Sequence, residues 1–176
     1  MSGDGRDFLA ILRNSIEMEI EGKSFFERAA STMKHQMARD TFISLAKQEQ
    51  RHIDILGEEL NRLEQGKGWA SLGDMKTGAP TYPKISVFQD KEFKHLKLRP
   101  EAGELEVLQV GIDVEKKSIE YYRSAGSITS DAKAKEIFSW LVGEEAGHLT
   151  VLTAEYEYRT RSGFYYDNME FSLEVM

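Results

Sequence analysis

No cysteine occurs among the 176 residues. Disulfides, thiolate catalysis, iron–sulfur clusters and Cys₄ metal modules are therefore excluded, and any bound metal must be held by Glu, Asp and His. Long apolar runs are missing too: nothing approaches the roughly 18 consecutive apolar residues that cross a bilayer, so no membrane partner is expected. Positive charge is in the minority, with 23 Lys and Arg against 30 Asp and Glu and a formal net charge of −7. That balance argues against nucleic acid as a partner, because a basic patch is its electrostatic footprint. Proline is scarce: Pro80, Pro83 and Pro100 all fall between residues 66 and 100. The first seven residues, Met1 to Asp7, contain no apolar signal region, so a cytoplasmic location is expected. The length suits a single domain, 1–176, with a sizeable core.

What is present is a repeat. Glu49-Gln50-Arg51-His52 and Glu145-Ala146-Gly147-His148 are both Glu-x-x-His, and on a helix that spacing puts both side chains on one face about one turn apart. One such pair alone is a weak signal. Here Glu19 precedes Glu49 by 30 residues (49 − 19), and Glu115 precedes Glu145 by the same 30 (145 − 115). A shift of 96 maps Glu19 onto Glu115, Glu49 onto Glu145 and His52 onto His148. It also pairs Phe26 with Tyr122, Ala29 with Ala125, Phe42 with Phe138, Leu45 with Leu141 and Leu56 with Leu152. Such self-similarity marks a duplicated structural unit, here a helical hairpin.

Helices are expected at about 7–33, 38–65, 101–125 and 131–160. Residues 1–7 read as a polar leader. The apolar seams step by three and four, as in bundle helices. The first runs Phe8, Leu12, Ser15, Glu19, Gly22, Phe26, Ala29, Met33. The second is Phe42, Leu45, Glu49, His52, Leu56, Leu63; the third Leu105, Leu108, Ile112, Glu115, Ile119, Tyr122; the fourth Phe138, Leu141, Glu145, His148, Leu152, Tyr156. Gly126 to Ser130 reads as a turn. The stretch 66–100 is a long connection, with an extended piece at Pro83–Phe88 and a short helix at Asp90–Leu98. A four-helix bundle whose second and third helices are parallel requires one such crossover. The fold class is thus all-α: a ferritin-like four-helix bundle of two repeated hairpins. The aromatic tail, 161–176, is expected to pack on the bundle or on a partner subunit.

Each ligand-type residue sits where a seam calls for an apolar one. Four converging carboxylates are prohibitively costly to bury as anions without cations among them, and no Lys or Arg occupies those seam positions. Two divalent ions would cancel four negative charges, and two trivalent ions with a doubly charged bridging ligand would also balance. Oxygen-rich donors with one imidazole per ion suit iron or manganese. His35 and His95 stand outside the pattern and read as surface residues. Trp69, Trp140, Tyr121 and Phe25 read as packing residues. Tyr122, seven positions after Glu115 and on its face, reads first as a packing residue, with support of the ligands as the second reading. Gly22 and Ser118, equivalent under the shift, are small enough to leave room for an oxidant.

Glu19 to Phe26, Glu49-x-x-His52, Glu115 to Tyr122 and Glu145-x-x-His148 together resemble the rubrerythrin group of ferritin-like proteins over nearly the whole chain. The resemblance implies a four-helix, often homodimeric protein with a non-haem centre of two iron ions that reacts with peroxide or dioxygen. It also implies that Glu49 and Glu145 bridge the metals, that Glu19 and Glu115 are terminal ligands, and that His52 and His148 bind one ion each. Two departures stand out. Rubrerythrins proper carry a cysteine-ligated iron module, so here an external electron-donor protein is implied. They also usually carry an extra carboxylate one turn before the third-helix glutamate, where this chain has Ile112. The expected function is reduction of hydrogen peroxide or dioxygen by a di-iron centre. Iron oxidation and storage, or hydroxylation of an organic substrate, are the alternatives.

Overall fold

The computed structural model describes residues 4–74 and 103–160. Four helices make up nearly all of it: α1 Asp4–Thr32, α2 Gln36–Glu64, α3 Glu104–Ile128 and α4 Ala132–Thr160. A short 3₁₀ turn, Leu72–Asp74, follows α2. At 29 residues, α1 is about 44 Å long. The expected extended piece at 83–88, the short helix at 90–98 with His95, the proposed start of the third helix at Pro100 or Glu101, and the tail from 161 lie outside the described residues.

Short turns make α1–α2 and α3–α4 antiparallel hairpins. Two polar contacts fix how the hairpins meet. Tyr121 donates its hydroxyl to the Ile11 carbonyl at one end, while Glu104 accepts the Lys34 backbone N–H at the other. Residue numbers thus rise along α1 as they fall along α3, so α1 and α3 are antiparallel and α2 and α3 parallel. α2 ends and α3 begins at opposite ends of the bundle, as a single crossover requires.

The seams point inward, and they build two apolar blocks. One contains Phe8, Leu12, Ile16, Trp69, Tyr122, Phe138 and Leu141. The other contains Phe25, Phe26, Phe42, Leu45, Leu108, Ile112 and Leu152. Between them lies a polar layer, described below. Trp69 closes one block edge-on to both Phe8 and Phe138. The chain after α2 is held there by Glu59, a fully buried carboxylate that accepts the Ala70 N–H at 3.1 Å.

The helix ends follow local chemistry. α2 stops at Gly66, whose φ of 70° is a left-handed conformation that favours glycine; its N–H reaches the Leu63 carbonyl at 3.0 Å. Asp131 caps α4, accepting the N–H groups of Lys133 and Ala134, which lack intrahelical partners.

Three boundary details differ from the sequence reading. α1 begins at Asp4 and not after a seven-residue leader, because Asp4 to Asp7 offer no apolar position by which periodicity could detect a turn. α3 runs on through Gly126 to Ile128. Gly126 serves a close helix approach and not a turn: a β-carbon there would lie 3.4 Å from Phe138 Cβ. Leu105 is exposed, not a seam residue. Its neighbour Glu104 docks the first turn by binding the Lys34 N–H and Arg159. Leu105 follows it by one residue, roughly 100° round the helix, and turns outward.

Candidate metal centre

The polar layer consists of Glu19 from α1, Glu49 and His52 from α2, Glu115 from α3, and Glu145 and His148 from α4. All six are at most 3% exposed. The structure brings every one of the six sequence-selected residues together near the middle of the bundle, because the 30-residue spacing within each hairpin sets facing helices in register.

The two imidazoles stack with centroids 5.5 Å apart and planes 19° from parallel, each turning Nδ1 toward the carboxylates. His52 Nδ1 lies 3.2 Å from oxygens of Glu19, Glu49 and Glu145. His148 Nδ1 lies 3.1 Å from Glu49, 3.3 Å from Glu145 and 3.5 Å from Glu115. Glu49 gives Oε2 to His52 and Oε1 to His148. Glu145 gives Oε1 to His52 and Oε2 to His148. The donors consequently fall into two overlapping groups, Glu19–Glu49–His52–Glu145 and Glu49–Glu115–Glu145–His148, each with its ligand atoms within 4.8 Å of one another. Glu49 and Glu145 belong to both.

Electrostatics show how this layer survives burial. Burial alone would lower the pKa of His52, but Glu145, Glu19 and Glu49 outweigh it and hold the imidazole well above its ordinary value. The same competition, won by Glu115, Glu145 and Glu49, pushes His148 up to about 12. Burial, reinforced by neighbouring carboxylates, raises Glu19 and Glu115. Glu49 and Glu145 are held below the usual range in spite of burial, Glu49 by the nearby Glu19 and the two imidazoles, and Glu145 by the two imidazoles and Glu115.

The donor set fits two metal ions. Both Glu115 oxygens and Glu145 Oε1 are buried without a hydrogen-bond donor, a costly state that coordination would relieve. Six donors, four of them carboxylates with one imidazole for each group, match iron or manganese better than thiolate-seeking metals.

Tyr122 is fully buried and donates its hydroxyl to Glu19 Oε1, so the candidate for ligand support touches a candidate ligand directly. Burial, with Glu19 beside it, pushes its own pKa well up, which keeps it a donor. Gly22 lies beneath Glu49: a β-carbon would sit 3.8 Å from Glu49 Cδ. The missing side chain therefore leaves space for that carboxylate. Trp69 and Phe25 pack in the core, and Tyr121 is part-buried against Tyr122. Trp140 meets the His52 ring edge-on at 5.4 Å, a contact with the site that packing periodicity did not disclose. His35 is exposed at the turn between α1 and α2.

Comparison with known proteins agrees with this architecture. A hypothetical protein from Pyrococcus furiosus is 19% identical, with a TM-score of 0.65 over 90% of this chain and 93% of that one. The bacterioferritin-related protein of Bacteroides fragilis, described as a dodecameric thioferritin, is 17% identical, with a TM-score of 0.68 over 89% and 88%. The fold is that of the ferritin-like four-helix bundles. The sequence model of the rubrerythrin family matches residues 10–156; this chain belongs to the rubrerythrin family. No curated protein matches it in sequence. Among the described residues, no helix is long and apolar enough to cross a membrane.

Proposed function

We propose that the protein is a di-iron redox protein that reduces hydrogen peroxide or dioxygen with electrons from an external donor protein. Glu19, Glu49, His52 and Glu145 would hold one ion, and Glu49, Glu115, Glu145 and His148 would hold the other; manganese is the second candidate metal. The observation that carries this reading is that Glu49 and Glu145 each offer one oxygen to each imidazole, the disposition of carboxylates that bridge two ions. Family membership supports the same assignment.

Reduced iron held there would supply the two electrons that, with two protons, take hydrogen peroxide to two waters. The chain supplies the setting. The apolar blocks on either side exclude bulk water and strengthen every charge interaction inside. Tyr122 fixes the orientation of Glu19 through its hydroxyl. Ile112 is buried one turn before Glu115, so that position adds no seventh ligand. These 176 residues hold no cysteine and so no thiolate-ligated relay, which favours a separate electron donor.

The test is metal content after anaerobic purification, for the wild type and for Glu49→Ala/Glu145→Ala. About two iron ions per chain, lost in the double variant, and oxidation of the reduced protein by peroxide in stopped flow support the reading. No binding after reconstitution with iron or manganese sinks it. Iron storage is the second reading, suggested by the dodecameric relative from Bacteroides fragilis. A homodimer by solution mass favours the redox role, and a closed shell of many subunits favours storage.

A further inference from the structure

We propose that the two metal positions are unequal: the one at His52 binds its ion more tightly than the one at His148 and fills first, because Glu144 holds His52 from outside. The inference rests on the di-metal reading above. A metal-bound imidazole has a second nitrogen, and the group that nitrogen meets sets the orientation of the ring and its strength as a donor.

With Nδ1 facing the carboxylate layer, His52 turns Nε2 the other way. That atom is buried and makes no hydrogen bond, yet Glu144 Oε2 lies 3.8 Å from it. The same oxygen lies 3.8 Å from Arg51 Nη1, and the Arg51 guanidinium sits over Trp140, 5.3 Å from the ring centroid. Trp140 in turn meets His52 edge-on. Glu144 and Trp140 thus stand on the outer side of one imidazole, with Arg51 set against both of them.

The duplication supplies an internal control. Subtracting or adding 96 maps Glu144 to Gln48, Arg51 to Gly147 and Trp140 to Ser44. Phe26 meets the His148 ring edge-on at 6.5 Å, but among the described residues no carboxylate stands behind its Nε2, which is also buried and unbonded; the Gln48 amide bonds back to Ser44 instead. The terminal carboxylates differ in the same sense. Glu19 receives the Tyr122 hydroxyl, whereas Tyr122 maps onto Phe26 and both Glu115 oxygens lack a donor. Both supports therefore fall on one position. A separation of 3.8 Å is longer than a hydrogen bond, and a carboxylate movement of about 1 Å closes it. Glu144 is part-exposed and its torsions are free to supply that movement. An ion on Nδ1 leaves the ring proton on Nε2, which gives the carboxylate a donor to meet.

Glu144 is thus a positioning residue, acting through His52. The test is titration of the metal-free protein with Co²⁺, followed by visible absorption against a competing chelator. Two resolved steps are expected in the wild type. Glu144→Ala is expected to weaken the tighter step roughly 10–100-fold and to leave the other unchanged, while Gln48→Ala moves neither. Glu144→Gln, which keeps size and acceptor but removes charge, is expected to fall between and serves if the alanine variant does not fold. In the Zn²⁺ form, the His52 Nε2–H proton resonance should move in Glu144→Ala while that of His148 stays. Equal constants in wild type and Glu144→Ala, or equal weakening of both steps, overturn the inference alone. A wild type that binds no Co²⁺ overturns it together with the di-metal reading.

Discussion

Replacing Tyr122 by Phe removes one oxygen atom and little else. The ring remains available to stack on Phe138, 6.3 Å away at 25°, and phenylalanine already occupies the duplicated position, Phe26. What disappears is the hydroxyl bond to Glu19. Without metal, burial and Glu49 raise the Glu19 pKa, which favours the uncharged carboxyl, and the loss of a bond between uncharged groups is worth about 0.5–1.5 kcal/mol. In a domain of this size that lowers the melting temperature by roughly 1–6 °C. With metal bound, Glu19 is an anion, and a bond to a charged group is worth about 1.5–3 kcal/mol. The difference, about 1–1.5 kcal/mol, must appear as weaker metal binding, roughly five- to twelvefold. The assay is a pair of measurements on Tyr122→Phe: thermal unfolding of the metal-free protein and competitive titration with Mn²⁺ or Co²⁺. Equal affinities in variant and wild type, alongside a lowered melting temperature, would refute the reasoning, since the hydroxyl would then serve packing alone.

Two substitutions at Gly22 should separate. Gly22→Ala places a β-carbon at ordinary contact distance from Glu49 and should gain up to about 1 kcal/mol in helix stability with metal content unchanged. Gly22→Leu should drive the Glu49 carboxylate from the layer and abolish metal uptake, read by elemental analysis. Glu59 offers a pH test away from the metals. Burial raises its pKa above the ordinary value, outweighing the Ala70 N–H. A raised folded-state pKa means that the folded chain holds the proton more tightly. The stability so contributed is full below the unfolded-state pKa, near 4.5, and is lost as pH rises through the folded-state value. Glu59→Gln keeps an acceptor for Ala70 without the titration. Its stability relative to wild type in urea unfolding should therefore grow as pH rises from 4 to 7; a constant difference would contradict the assignment.

The fold was unusually legible because the duplication states the same information twice. A polar residue on a seam is ambiguous once, but Glu19 and Glu115, Glu49 and Glu145, His52 and His148 occupy matched positions in matched seams, so the meeting of all six could be anticipated. Periodicity reads only where apolar residues alternate with polar ones. It was silent on Asp4 to Asp7, and it counted Leu105 inward because it cannot see Glu104 docking the turn. Gly126 differs for another reason, since composition does not distinguish a glycine that ends a helix from one that lets a neighbouring helix approach. The Tyr122 hydroxyl and the Glu144–Arg51–Trp140 cap were hidden because they depend on contacts between helices. Glu144 also stands beside a candidate ligand in sequence, and on a helix that adjacency places it on a different face.

Each set of candidate ligands draws on three helices: α1, α2 and α4 for one, and α2, α3 and α4 for the other. Neither hairpin can complete a set alone. A single ancestral hairpin, bearing one glutamate and one Glu-x-x-His, could therefore have worked only by pairing with its twin across a two-fold axis. The axis survives in the stacked imidazoles and the shared pair of carboxylates. Within one chain the inner layer keeps that pairing, while the surrounding residues need not match between the halves. Tyr122 can offer a hydroxyl to Glu19 where the matching Phe26 has none, and Glu144 can stand behind His52 without a carboxylate at the matching Gln48.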